Sequence, residues 1–127
     1  MTRPRVLVVD DNPMNTKLVT YVLRGRGIDV LVAASAAETW KVLEEVLPAA
    51  ILMDVQLPGV DGLTLTRQLR ADTRFGAVPI VAVTAYAMDH DRRAAFEAGC
   101  SEFVSKPIDT SSFGELLTKL VASGGTR

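Results

Sequence analysis

Arg5-Val6-Leu7-Val8-Val9-Asp10-Asp11-Asn12-Pro13 is the stretch on which the fold turns. Four apolar residues in a row, without polar alternation, describe a strand buried on both faces, as parallel sheets require. The strand, read as Arg5 to Asp10, ends in an acidic pair. Asn12-Pro13 then opens a helix, with asparagine as the N-cap and proline at the first helical position.

Working outward, the same alternation recurs along the chain. Met14, Leu18 and Val22 fall on one face of the first helix, at i, i+4 and i+8, and Gly25 and Gly27 end it. A second strand covers Ile28 to Ala33. Ser35 caps a helix with Trp40, Leu43 and Leu47 on one stripe, stopped by Pro48. The third strand, Ala50 to Asp54, again ends in an aspartate. Leu57-Pro58-Gly59 is a loop, and Asp61-Gly62 leads into a helix with Leu65 and Leu69 inward. Pro79 to Thr84 is the fourth strand. A helix from roughly Met88 to Ala98 stops at Gly99, Ser101 to Val104 is the fifth strand, and Asp109 to about Ala122 is the last helix. Its apolar face is Phe113, Leu116, Leu117 and Leu120, and Gly124-Gly125 reads as a frayed end. Five βα units predict an α/β fold, with helices on both faces of a parallel sheet and right-handed crossovers.

Composition sets the bounds. The chain has 127 residues, 48% of them hydrophobic, and a formal net charge of −1. That predicts one domain over 1–127, its core at about 4–122 and a flexible tail at 123–127. Without a basic excess no direct nucleic-acid binding is expected. No apolar run is long enough to span a bilayer, and the N-terminus lacks the pattern of a signal peptide. The one cysteine, Cys100, excludes an internal disulfide. A soluble protein in the cytoplasm is the expectation.

In open α/β sheets the functional site lies beyond the carboxyl ends of the strands. Those ends carry Asp10-Asp11, Asp54, Thr84 and, just after the fifth strand, Lys106-Pro107. Three carboxylates brought to about 5 Å would repel by roughly 3 kcal/mol per pair at an effective dielectric near 20. A domain is stable by only about 5–15 kcal/mol, so the cluster needs protons or a cation. Oxygen donors without histidine or cysteine suit Mg²⁺, with Mn²⁺ as a substitute. Lys106 supplies a point charge and Thr84 a hydroxyl donor. A nucleophilic aspartate, a metal ion, a lysine and a hydroxyl meet the needs of phosphoryl transfer, which asks mainly for positioning and charge neutralisation.

Val9-Asp10-Asp11-Asn12, Met53-Asp54-Val55-Gln56-Leu57-Pro58-Gly59, Asp61-Gly62, Val83-Thr84-Ala85 and Lys106-Pro107, in this order and at these spacings, resemble the receiver domain of two-component response regulators. The resemblance runs from Arg5 to about Leu120 and is nearest to single-domain regulators of the DivK type and to hybrid-kinase receivers. It implies a flavodoxin-like (βα)5 fold, doubly wound, with strand order 2-1-3-4-5. It implies Asp54 as phosphoacceptor. Mg²⁺ would be bound by Asp11, Asp54 and the backbone carbonyl of Gln56, with Asp10 acting through water. Thr84 would bond to the phosphoryl group and Lys106 would pair with it, the Lys106–Pro107 bond being cis. Phe103 stands at the switch aromatic, where tyrosine is more familiar, and Leu57 where methionine is common. Gln56 and Tyr86 flank the phosphoryl position as modulators of phosphate lifetime. The implied partners are a sensor histidine kinase or histidine phosphotransfer protein, meeting the helix from Pro13 and the loop after Lys106, and a downstream protein effector. The chain would be a switch that promotes its own phosphorylation and dephosphorylation, and otherwise not an enzyme.

Other readings fit less well. An aspartyl-phosphate phosphatase needs an acid two residues after the nucleophile, where this chain has Gln56. A flavin or nucleotide module needs a glycine-rich first loop, and Asp-Asp-Asn-Pro would repel phosphate. A pseudo-receiver, signalling by binding alone, would be expected to have lost site residues. Trp40 is expected in the core, Cys100 as a small buried hydrophobe, and His90 on the solvent face of a helix without a chemical role.

Overall fold

The computed structural model describes residues 3–85 and 88–125, the side chains of 123–125 excepted. Five βα units follow one another: β1 (Arg5–Val9), α1 (Pro13–Arg24), β2 (Asp29–Ala33), α2 (Ala36–Leu43), β3 (Ala50–Asp54), α3 (Gly62–Ala71), β4 (Ile80–Thr84), α4 (Asp89–Ala98), β5 (Glu102–Ser105) and α5 (Thr110–Gly125). The strands form one parallel sheet in the order β2-β1-β3-β4-β5. This is the flavodoxin-like arrangement, and the strand order, that the family resemblance implied.

Period-two alternation sorts the strand residues between two cores. Leu7, Val9, Ile51, Met53, Ile80 and Ala82 face α2, α3 and α4. Val6, Val8, Ala50, Leu52, Val81 and Val83 face α1 and α5. Both faces are covered, which is why the central strands are continuously apolar.

Local chemistry sets the helix starts. Asn12 Oδ1 accepts from the Met14 and Asn15 N–H groups at 2.9 and 3.4 Å. Ser35 Oγ accepts from Glu38 N–H at 3.2 Å, and Asp61 Oδ1 from Thr64 N–H at 2.9 Å. Gly99 ends α4 at φ 111°, a left-handed position that suits glycine.

Three expectations need correction. The buried residues of α1 are Val19 and Leu23, whereas Met14 and Leu18 are exposed and Val22 packs only partly. Apolar residues occupy two stripes of α1, and the sheet meets the other one. The stripe of α2 stops at Leu43, because the helix ends there and Leu47 lies exposed beyond it. The last helix, expected to end at about Ala122, extends as α5 to Gly125. Strand limits differ by a residue: β5 is Glu102–Ser105 rather than Ser101–Val104, and Asp10 lies just past β1. Trp40 packs edge-on against Phe75 with ring centroids 6.1 Å apart, and Cys100 is buried. His90 is exposed beside Asp91.

Candidate functional site

The register delivers the site. β1 stops at Val9, opposite Met53, so the next residues, Asp10 and Asp54, stand side by side at this edge, Asp54 as the last residue of β3 and still paired with Val83 of β4. Thr84 ends β4 opposite Ser105, and Lys106 N–H donates to the Thr84 carbonyl at 2.8 Å. Four segments far apart in sequence thus reach one edge of the sheet.

Asp10, Asp11 and Asp54 each offer a carboxylate oxygen, and these oxygens lie within 4.8 Å of one another. Asp10 and Asp54 are buried and Asp11 is exposed, so the cluster opens to solvent on one side. Backbone amides hold the two buried carboxylates: Asn12 N–H donates to Asp10 Oδ1 at 2.8 Å, and Gln56 N–H to Asp54 Oδ1 at 3.0 Å. Lys106 Nζ stands 3.5 Å from Asp54 Oδ2, a charge pair at the outer limit of a hydrogen bond. Burial pushes the Asp54 carboxyl above its ordinary value; the Gln56 N–H opposes this, the Asp10 charge adds to it, and Lys106 partly reverses it. A buried acid that is reluctant to ionise, beside two more carboxylates and one lysine, lacks positive charge. Hard oxygen donors with a deficit of this sign fit Mg²⁺.

Thr84 is buried at the end of β4, and strand alternation puts its side chain on the α2–α4 face with Ala82. Phe103 pairs with Ala82 across β4 and β5, on that same face, and is half-buried. The Lys106–Pro107 peptide is cis. Gln56 is exposed at the mouth of the cluster, whereas Tyr86 lies outside the described residues. Sequence reasoning missed the part played by Gly62. A Cβ there would collide with the Asp54 carbonyl oxygen, so only glycine lets α3 start against the end of β3. The Asp61-Gly62 pair marks a helix start in sequence, but the close approach is visible only in three dimensions.

The comparisons agree with this geometry. Residues 6–118 match the sequence model of the response regulator receiver domain. The chain belongs to that family. It is 37% identical over 112 residues to the polar-differentiation response regulator DivK of Brucella ovis, covering 88% of this chain and 91% of DivK. It is also 37% identical over 118 residues to the response regulator Rre1 of Synechocystis, where 92% of this chain spans about half, 51%, of the relative's length. Among solved structures, the receiver domain of a sensor histidine kinase from Pseudomonas aeruginosa PAO1 superposes with a TM-score of 0.86 at 32% identity, covering 95% of this chain and 99% of that one. That domain holds a magnesium ion coordinated in its active-site cleft. No helix among the described residues of this receiver is long and apolar enough to cross a membrane.

Proposed function

We propose that this receiver takes a phosphoryl group onto Asp54 from a phosphohistidine of a kinase or phosphotransfer protein, and that the modification changes which partner it binds. The convergence of Asp10, Asp11 and Asp54 within 4.8 Å, with Lys106 3.5 Å from Asp54, carries the reading. In the reaction an Asp54 carboxylate oxygen forms a bond to phosphorus as the donor's nitrogen–phosphorus bond breaks, and the freed imidazole keeps the electron pair. The Gln56 amide steadies Asp54 Oδ1. Lys106, already beside Oδ2, is within reach of the incoming phosphoryl oxygens. Asp10, Asp11, Asp54 and the Gln56 carbonyl would hold Mg²⁺ (or Mn²⁺), which when bound offsets the negative charge of the phosphoryl group.

Once Asp54 is modified, the Thr84 hydroxyl donates to the new oxygens. A hydrogen bond to a charged group contributes about 1.5–3 kcal/mol, which shifts a two-state equilibrium roughly ten- to a hundredfold. The Phe103 ring follows Thr84 inward and the surface of α4, β5 and α5 changes. Phosphate lifetime would be tuned by Gln56 and Tyr86.

A docking face for the donor lies next to the site. Asn15 and Leu18 of α1, with Ala85, Lys106, Pro107 and Ile108, line a surface cavity of about 390 Å³. Exposed Met14 lies one turn before Leu18 on the same helix. A downstream protein effector, and not nucleic acid or membrane, is the expected target, and the reading places the chain in the cytoplasm. It is a signalling switch rather than an enzyme acting on a separate substrate.

Intact mass after incubation with acetyl phosphate tests the chemistry. We expect one added phosphoryl group in the wild type with Mg²⁺, and none without Mg²⁺ or in Asp54→Asn. Equal labelling of Asp54→Asn, or no labelling by either acetyl phosphate or a phosphorylated histidine donor, would overturn the assignment and favour a pseudo-receiver.

A further inference from the structure

Arg92 of α4 sets its guanidinium over the face of the Phe103 ring, 5.0 Å from the ring centroid. Arg92 is exposed and makes no ion pair among the described residues. On one side Phe103 packs against the core beneath α2–α4. On the other it lines a surface cavity of about 310 Å³ with Ser112, Phe113 and Leu116. Phe103 is thus half-buried at the boundary of the core, with a cation across the face of its ring. A guanidinium over an aromatic face is attracted by the ring's quadrupole. Phenylalanine has no hydroxyl, so no hydrogen bond can anchor this ring in either position. The arginine is a specific contact that the ring would lose on moving inward.

We propose that Arg92 is a latch, holding the Phe103 ring half-exposed in the unphosphorylated chain and so setting how readily the switch is thrown. This rests on the reading of Thr84 and Phe103 as a coupled pair. Inward movement of the ring would take it from under the guanidinium toward small Ala82, its partner on β4. The latch thus favours the resting arrangement by the strength of an exposed cation–π contact, about two- to fivefold in population. A ligand's apparent affinity scales with the fraction of chain already competent to bind it, so loading of the site should be held back by a similar factor.

Two variants separate charge from packing. Arg92→Met keeps a long aliphatic stem over the ring without the cation, and Arg92→Lys keeps the charge in a less favourable shape. Beryllofluoride with Mg²⁺ serves as the phosphoryl mimic. Fluorine NMR of chain labelled with 4-fluorophenylalanine follows Phe103, assigned by Phe103→Leu, with the other three phenylalanines as internal references. We expect the Phe103 resonance of free Arg92→Met to move from its wild-type position toward the beryllofluoride-loaded one. Half-saturation should need about two- to fivefold less beryllofluoride, with Arg92→Lys in between. A wild-type resonance that responds to beryllofluoride, together with an Arg92→Met chain unchanged in both readouts or harder to load, would refute the latch and leave the Thr84–Phe103 coupling intact. A wild-type Phe103 resonance indifferent to loading would refute the coupling and the latch with it.

Discussion

Replacing Asp54 by asparagine should make the metal-free chain more stable near neutral pH, although it removes the residue proposed to do the chemistry. Asparagine is nearly isosteric and can still accept from the Gln56 N–H, which is 3.0 Å from Asp54 Oδ1. What changes is charge. Oxygens of Asp10 and Asp11 come within 4.8 Å of those of Asp54, so each repels an ionised Asp54 by roughly 3 kcal/mol at an effective dielectric near 20. Lys106, at 3.5 Å, returns about 4–5 kcal/mol on the same scale. Two repulsions outweigh one attraction by about 2 kcal/mol. Solvent screening of exposed Asp11 reduces this, and relief of the buried charge adds to it, leaving an expected gain of about 1–2 kcal/mol, or about 3–8 °C in melting temperature. The pH dependence has a definite sign. Burial first, and then the Asp10 charge, hold the Asp54 carboxyl above its ordinary value. A raised acid costs the fold stability once it is ionised, so the cost grows as pH rises through its folded value and disappears below its unfolded value. The advantage of asparagine should therefore be greatest near neutrality and fade on acidification. Mg²⁺ should reverse the ranking, because binding to the folded state stabilises wild type by RT ln(1 + [Mg²⁺]/Kd) and the variant lacks one of the proposed ligands. Melting curves across pH, in chelator and in Mg²⁺, measure all of this. A variant melting below wild type in chelator at neutral pH would mean that the Lys106 pair dominates and that the cluster does not lack positive charge.

Two other changes probe the frame around the site. Gly62→Ala should cost about 1–3 kcal/mol in urea unfolding and slow labelling by acetyl phosphate, since the new methyl collides with the Asp54 carbonyl oxygen; wild-type values for both would mean that α3 yields freely at its start. Arg70→Ala should cost about 2–3 kcal/mol, because its guanidinium donates to the carbonyls of Phe75, Val78 and Gly99 at 3.0, 2.7 and 2.8 Å and reaches Ser101 Oγ at 3.3 Å. Arg70→Lys should recover less than half of this, as a point donor cannot span that set, and full recovery in the same unfolding assay would remove the fork from the argument.

The fold was readable because its decisive signals are local. A strand buried on both faces has to be continuously apolar, and caps such as Asn12, Ser35 and Asp61 announce helices within three residues of their own position. The inward face of α1 was not readable in this way. Met14, Leu18 and Val22 repeat at i, i+4 and i+8, but Val19 and Leu23 are also four apart, and helical period alone cannot say which stripe meets the sheet. The contacts of the buried pair with the α1–α5 core decide it. Phe75 escaped notice for a related reason. It sits in a turn among polar neighbours, yet it is buried and packs on Trp40.

The site divides along the same line. Asp10, Asp54, Thr84 and Lys106 could be placed together from sequence because a parallel sheet sends every strand's carboxyl end to one edge, and the chain puts a polar residue at or just past four of those five ends, β2 ending in alanine. The groups that hold them in place left no such trace. Backbone amides of Asn12 and Gln56 bond the carboxylates, and any residue but proline offers an amide. The missing Cβ of Gly62 matters only because of where the Asp54 carbonyl lies. Arg92 reads as one more charge on an exposed helix until the Phe103 ring is found beneath it. Residue type and strand order are enough to locate the cluster. Its tuning depends on contacts between elements, and those are set by packing angles that neither propensity nor periodicity encodes.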